Sequence, residues 1–292
     1  MWQAPFVLPV LLAGASAVVW GAADYCGGAA SLHGAASLRQ RALKVALLAH
    51  VSAIPMIVPF LFVVPGQFSG AALLWGALAG TASLVGMVAL NLALASGAMV
   101  TVAPVAAVTA ALVPLTGGLL MGERPALAAL IGAVAAIGAI VMVSRGTDGK
   151  GKAIPRNVIR LALISGVAFG LFFFLLGQAG KAAGMWPLLA DKTASILLGL
   201  LILRKFGMTV KSLRANNPVL MLAVLMGVFD AVATALYLLS SHTGQVSIVA
   251  PVAALYPAST VVLALIFNKE RLRPIQFAGL GLVGVALVLA AA

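Results

Sequence analysis

Val102-Ala-Pro-Val-Ala-Ala107 returns as Val249-Ala-Pro-Val-Ala-Ala254, an offset of 147 in a chain of 292 residues. The offset carries further. Gly80 meets Gly227, Gly97 meets Gly244, Glu123-Arg124 meets Glu270-Arg271, and Gly132 meets Gly279. Across 97–107 and 244–254, seven of eleven positions are identical. Solenoid repeats have periods of about 20–50 residues, so this spacing predicts duplication of one half of the chain.

The duplicated unit is suited to a bilayer. Hydrophobic residues make up 63% of the chain and charged residues 8%, with a mean hydropathy of +1.17. A soluble domain carries roughly a quarter charged residues, which excludes a soluble fold. Spans of about 20 apolar residues cross a membrane as helices. Ten such runs are predicted, numbered 1 to 10: about 8–28, 41–64, 71–95, 99–121, 126–144, 157–180, 186–203, 218–240, 245–267 and 275–291. The 31 glycines suit closely packed helices. A β-barrel would need alternating segments of about ten residues, and the chain has none. The first run lacks a basic leader and a cleavage site, so it reads as a retained span. The single cysteine, Cys26, excludes a disulfide within the chain and reads as a small packing residue.

The net charge of +12 would suggest nucleic acid in a soluble protein. Here the basic residues are placed by topology. Loops 1/2, 3/4, 5/6, 7/8 and 9/10, with their helix ends, hold fifteen Lys and Arg, from Arg39 to Arg273, whereas the opposite face holds only Arg124 and Lys181. The positive-inside rule puts the basic face in the cytoplasm and both termini outside. No nucleic-acid partner is expected.

The most polar, glycine-rich stretch is Arg145-Gly-Thr-Asp-Gly-Lys-Gly-Lys-Ala-Ile-Pro155, read as a cytoplasmic linker over 145–156. It separates a five-helix unit at 1–144 from a second at 157–292. An odd helix count predicts that the second copy enters the membrane upside down. Inverted repeats of this kind place a substrate site near the midplane and alternate access around it. The expected fold is thus an all-α polytopic membrane protein of ten helices in two inverted five-helix repeats.

Three motifs join this pattern: Gly122-Glu-Arg-Pro125, echoed by Lys269-Glu-Arg-Leu272; the Val-Ala-Pro-Val-Ala-Ala helix; and Trp20-Gly-Ala-Ala-Asp24. Together they resemble the EamA-type members of the drug/metabolite transporter superfamily, over essentially the whole chain. The resemblance implies a bacterial inner-membrane exporter of amino acids and related metabolites, such as the YddG-type aromatic amino-acid exporters. It also implies cytoplasmic termini, because such relatives commonly carry basic residues at the N-terminus and in loop 2/3. Neither place has one here, and the charge rule gives the reverse orientation.

Six acidic residues are the scarce resource. Asp148 lies in the linker; Glu123 and Glu270 lie in turns and read as interfacial charges. Asp24, Asp191 and Asp230 fall within spans, where an ionisable group is costly and therefore a functional candidate. Asp230, Thr234, Tyr237 and Ser241 recur at helical spacing along one face of helix 8. That stripe reads as a cavity wall or as a hydrogen-bonding ladder to a neighbour. Ser16, Trp20, Asp24 and Gly27 form a second stripe on helix 1. Asp24 has a second reading, a salt bridge to Arg41 or Lys44. Adjacent Asp191 and Lys192 point about 100° apart on a helix and are expected to pair elsewhere.

Pro104 and Pro251, with Pro114 and Pro257 further along, are expected to bend helices 4 and 9 around a central cavity or to act as gates. Tyr256 would face that space. Asn91 on helix 3 is a polar candidate, for a substrate or for an interhelical hydrogen bond. Phe169, Phe172, Phe173 and Phe174 read mainly as packing, with Phe169 offered as an apolar wall. His33, His50 and His242 lack metal-ligand spacing, and no cofactor or metal is expected. No nucleotide-binding or hydrolase motif occurs, so the chain is not expected to be an enzyme.

These features predict a secondary transporter, acting as a monomer on small polar or zwitterionic metabolites. The candidate substrate contacts are Trp20, Asp24, Asn91, Phe169, Asp230, Thr234, Tyr237 and Tyr256. Export of lipophilic cations or drugs is the first alternative. A membrane-embedded enzyme or lipid-handling protein is the second, and the chain displays no convergent nucleophile, base or metal set for it.

Overall fold

A computed structural model describes residues 4–34, 36–120, 127–144, 153–243, 253, 256–268 and 273–290. Pro251 and the side chains of Pro114 and Ser241 lie outside the described residues, as do Glu123, Asp148, Glu270 and most of the linker. The described residues form ten α-helices and no strand. In chain order they are α1 (Ala4–Leu32), α2 (Leu38–Val63), α3 (Gly70–Leu94), α4 (Met99–Leu120) and α5 (Leu127–Ser144), then α6 (Arg156–Gly177), α7 (Trp186–Lys205), α8 (Asn217–Thr243), α9 (Tyr256–Phe267) and α10 (Pro274–Ala290). Short 3₁₀ turns at Lys181–Ala183 and Val210–Leu213 precede α7 and α8.

Six helices (α1, α2, α3, α6, α7 and α8) are long and apolar enough to cross a membrane; α4, α9 and α10 contribute shorter apolar stretches. Rows of large apolar side chains point outward, including Leu11 and Val18 on α1, Leu74 and Leu78 on α3, and Leu197 and Leu201 on α7. In water such patches would drive association; in hydrocarbon they meet solvent of their own kind.

Local sequence sets the helix boundaries. Ser37 and Gln40 form a capping box, in which Ser37 Oγ accepts the Gln40 N–H and Gln40 Oε1 accepts the Ser37 N–H, so α2 starts at Leu38. Ser69 caps α3 by accepting the Ala72 N–H. Between α3 and α4, Gly97 has φ +81°, the left-handed conformation that a tight helix-to-helix turn needs and that a side chain disfavours.

The helices pack in reciprocal pairs. α1 packs on α8 and α6 on α3; α2 packs on α8 and α7 on α3; α1 packs on α9 and α6 on α4; α5 packs on α10. Exchanging α1–α5 for α6–α10 turns each pair into another of the set. The glycines that recur at the 147-residue offset sit at matched crossings. A Cβ on Gly80 of α3 would lie 2.3 Å from the Asp191 carbonyl oxygen of α7, and one on Gly227 of α8 would lie 2.1 Å from that of Ala49 on α2. Small residues let these backbones touch, as membrane helices require. Hydroxyls secure the crossings by donating to carbonyls of the next helix: Ser16 to Ala233 (2.7 Å), Ser240 to Pro9 (2.6 Å) and Ser195 to Gly80 (2.8 Å).

Inter-loop contacts fix which ends of the helices meet. The Lys44 ammonium near the start of α2 donates to the carbonyl of Arg214, just before α8. At the opposite end the Gln67 N–H donates to the Ala182 carbonyl (2.7 Å), and Phe68 meets Trp186 edge-on with centroids 5.3 Å apart. α2 therefore begins beside the end of α7 and ends beside its start. The two helices run antiparallel.

Candidate functional site

The α1 stripe reaches the middle of the bundle, with each member in a different environment. Ser16 is fully buried and its hydroxyl serves the α1–α8 crossing. One turn on, Trp20 stands among three rings from three other helices. Its centroid is 5.8 Å from that of Tyr237 on α8, 6.1 Å from Phe173 on α6 and 6.3 Å from Tyr256 on α9. The interplanar angles of 43°, 76° and 66° are tilted and edge-on rather than stacked, within the range in which aromatic quadrupoles attract. Phe172 extends the cluster through Phe173, 5.1 Å away. The group draws on both halves of the chain.

Asp24 lies one turn beyond Trp20 on the same face of α1. Its Oδ2 is buried and makes no hydrogen bond. The carboxylate is within electrostatic reach of Asp230 and of the Tyr256 phenol. The salt bridge to Arg41 or Lys44 does not form. Arg41 donates to the Leu32 carbonyl and Lys44 to that of Arg214, so both cations turn toward helix ends and away from the carboxylate. Gly27, three residues past Asp24, is bare backbone against Asn91: a Cβ there would fall 2.5 Å from Asn91 Oδ1 and 2.7 Å from Met226 Sδ. Asn91 is fully buried, and neither its Oδ1 nor its Nδ2 has a hydrogen-bond partner. Each unmet buried polar group costs about 1–3 kcal/mol, so an amide here is not explained by packing.

Beside this region lies an ion triad. Lys192 Nζ is 2.9 Å from Asp191 Oδ2 and 2.9 Å from Asp230 Oδ2, with side-chain exposures of 3%, 0% and 18% respectively. This corrects the expectation that Asp191 and Lys192 pair apart. Their Cα–Cβ vectors do diverge, but the four-carbon lysine stem lets its ammonium fold back to its neighbour while reaching α8. Asp230 is accordingly a member of an interhelical tie, sharing Lys192 with Asp191. Ser195 Oγ, 2.8 Å from the Gly80 carbonyl, joins α7 to α3 at the same level. His50 on α2 is buried with both ring nitrogens unpartnered, within electrostatic reach of Lys192.

Of the sequence candidates, the fold brings Trp20, Tyr237 and Tyr256 into one cluster and sets Asp24 and Asn91 against the same face of α1. Thr234 is buried and spends its hydroxyl on the Asp230 carbonyl of its own helix (2.7 Å). Phe169 packs instead against Gly86 of α3. Pro104 is buried inside α4, and Pro257 is the second residue of α9. Phe173 and Lys192 were the members least legible in advance. A lysine inside an apolar span was the available signal for the second; for Phe173 nothing in a run of three phenylalanines singles out the inward one.

Among the described residues no three His, Cys, Asp or Glu side chains converge as a metal set. Two interior carboxylates, Asp191 and Asp230, share one ammonium, and Asp24 lies within electrostatic reach of Asp230, an excess of negative charge that a proton or a ligand cation would balance.

A bundle of apolar helices with carboxylates and aromatic rings held at its centre defines a multi-pass membrane protein with an interior polar site. The comparisons narrow the class: residues 156–292, a little under half of the chain, match the EamA-like transporter family. An uncharacterized protein of Methanocaldococcus jannaschii is 26% identical over 133 residues, covering 46% of this chain and 95% of that protein. That relative is thus about half as long as this chain. A solved crystal structure of a protein matches with a TM-score of 0.59 at 16% identity, covering 96% of this chain and 95% of that one, which shows a shared fold.

Proposed function

We propose that the protein is a secondary transporter that exports small amine-bearing metabolites, amino acids including aromatic ones, by alternating access at the centre of the bundle. The observation that carries the reading is the Trp20, Phe173, Tyr237 and Tyr256 cluster beside Asp24. Asp24 Oδ2 would accept a substrate ammonium, Asn91 has a spare donor and acceptor for a zwitterion, and the rings would take an apolar or aromatic side chain. Lys192 is shared by Asp191 and Asp230, so Asp24 is the interior aspartate with no ion pair among the described residues and the one open to a cation or proton.

The organisation behind this reading is two inverted five-helix repeats, 1–144 and 157–292. Reciprocal packing supports it, as does the antiparallel course of α2 and α7, which occupy matching places in the two halves. The loop contacts also support the charge-based orientation, because loops 1/2 and 7/8, both basic, meet at one end. With those loops cytoplasmic, both termini are outside the cell membrane.

An unpaired carboxylate beside four rings suits lipophilic cations as well, by charge and cation–π attraction. Counterflow in proteoliposomes separates the readings. Labelled phenylalanine or tryptophan should be trapped against the same unlabelled amino acid, and Trp20→Ala should abolish the signal. Flux of a lipophilic cation without amino-acid counterflow would move the assignment to the second reading, and absence of both would remove the proposal.

A further inference from the structure

A cavity of about 390 Å³ opens at the basic end of the bundle, away from the aromatic cluster. Its walls come from the end of α1, the start of α2, the 3₁₀ turn before α8 and the start of α8. Gln40, Arg41, Lys44, Ser212 and Asn216 supply polar groups, while Met208 and other apolar residues form the rest of the wall. None of the lining side chains is acidic, and neither Arg41 nor Lys44 has a carboxylate partner among the described residues. Each is steadied by a single main-chain carbonyl, Leu32 for Arg41 and Arg214 for Lys44. That leaves most of their N–H groups uncommitted, and Arg41 Nε is buried without a partner. The wall includes Gln40 in the first turn of α2 and Asn216 just before α8, so both helix starts lie beside the cavity, where the helix dipole adds positive potential.

We propose that this cavity is a phosphate-binding site, taking a phosphate ester either from an anionic phospholipid headgroup or from a soluble molecule. Two cations with donors to spare, a hydroxyl and two amides match the charge and the acceptor oxygens of such a group. The apolar part of the wall suits the glycerol and first methylenes of a lipid. A bound phosphate would tie α2 to α8 across the two halves of the chain.

The test uses the full chain, delipidated in neutral detergent. Dioctanoyl phosphatidylglycerol is titrated by native mass spectrometry, with dioctanoyl phosphatidylcholine and inorganic phosphate as separate arms. One phosphatidylglycerol per chain should bind in preference to phosphatidylcholine if the source is lipid; saturable binding of inorganic phosphate alone assigns a soluble ester. In either case Arg41→Gln and Lys44→Gln should each weaken binding about tenfold. Ala36→Trp, which fills the cavity and leaves both cations in place, should do the same, and it serves if a charge variant fails to fold. Arg204→Gln is the control, on a basic residue outside the cavity. Binding that survives both Lys44→Gln and Ala36→Trp, that falls equally in Arg204→Gln, or that is absent in every arm overturns the proposal.

Discussion

Replacing Lys192 with Met tests the ion triad as a structural tie. The substitution keeps much of the side-chain volume and removes the charge that faces Asp191 and Asp230, both at 2.9 Å. Asp191 is 0% exposed and Asp230 18%, so water can relieve at most one of them. Breaking a buried pair by removing one partner costs about 3–5 kcal/mol, because a charge is left uncompensated. At roughly 2–4 °C per kcal/mol for a chain of this size, the midpoint of thermal unfolding should fall by about 6–20 °C. The assay is unfolding in detergent followed by tryptophan fluorescence, on this variant and on a triple variant that adds Asp191→Asn and Asp230→Asn. The triple variant has no stranded charge and should recover most of the loss, since a buried ion pair is often replaceable by neutral groups at little cost. Wild-type stability in Lys192→Met would refute the reasoning, as would a triple variant damaged as badly as the single one.

Three other expectations are independent of that one. Gly80→Leu places side-chain atoms where even a Cβ would be 2.3 Å from the Asp191 carbonyl oxygen, so α3 and α7 must separate; size-exclusion chromatography should show loss of monodisperse protein. Asp24→Asn should lower amine-substrate counterflow at least tenfold while leaving the unfolding midpoint unchanged within a few degrees, because Oδ2 holds no protein partner to lose. Unaltered counterflow would remove Asp24 from the site. In a Cys26→Ala background, Ser212→Cys should react with an impermeant maleimide only from the cytoplasmic side and Gln178→Cys only from outside; the reverse pattern would invert the orientation.

How much was legible in advance follows from what each signal depends on. Apart from the ninth span, described continuously only from Tyr256, the helices and their bounds within a few residues came from apolar run length, because in hydrocarbon every backbone group must be satisfied within its own helix. Trp20, Asp24, Tyr237 and Tyr256 could be singled out because polar and aromatic groups at helical spacing within apolar spans are rare. The partner of each could not, because helices from distant parts of the chain decide it. Asp230 looked like the exposed carboxylate and Asp191 like a bystander until α7 packed on α3 and α2.

The sequence alone determined the membrane class, the helix count and the recurrence of one half in the other, since composition and period are properties of the chain. The repeated Val-Ala-Pro-Val-Ala-Ala segment carried that much. Tertiary packing decided which carboxylates share an ammonium and which is left without an ion pair among the described residues, and which phenylalanine of α6 joins the rings around Trp20. The physical reason is reach: a lysine stem spanning from α7 to α8 removes Asp230 from service. No local pattern encodes which cation a buried acid will meet.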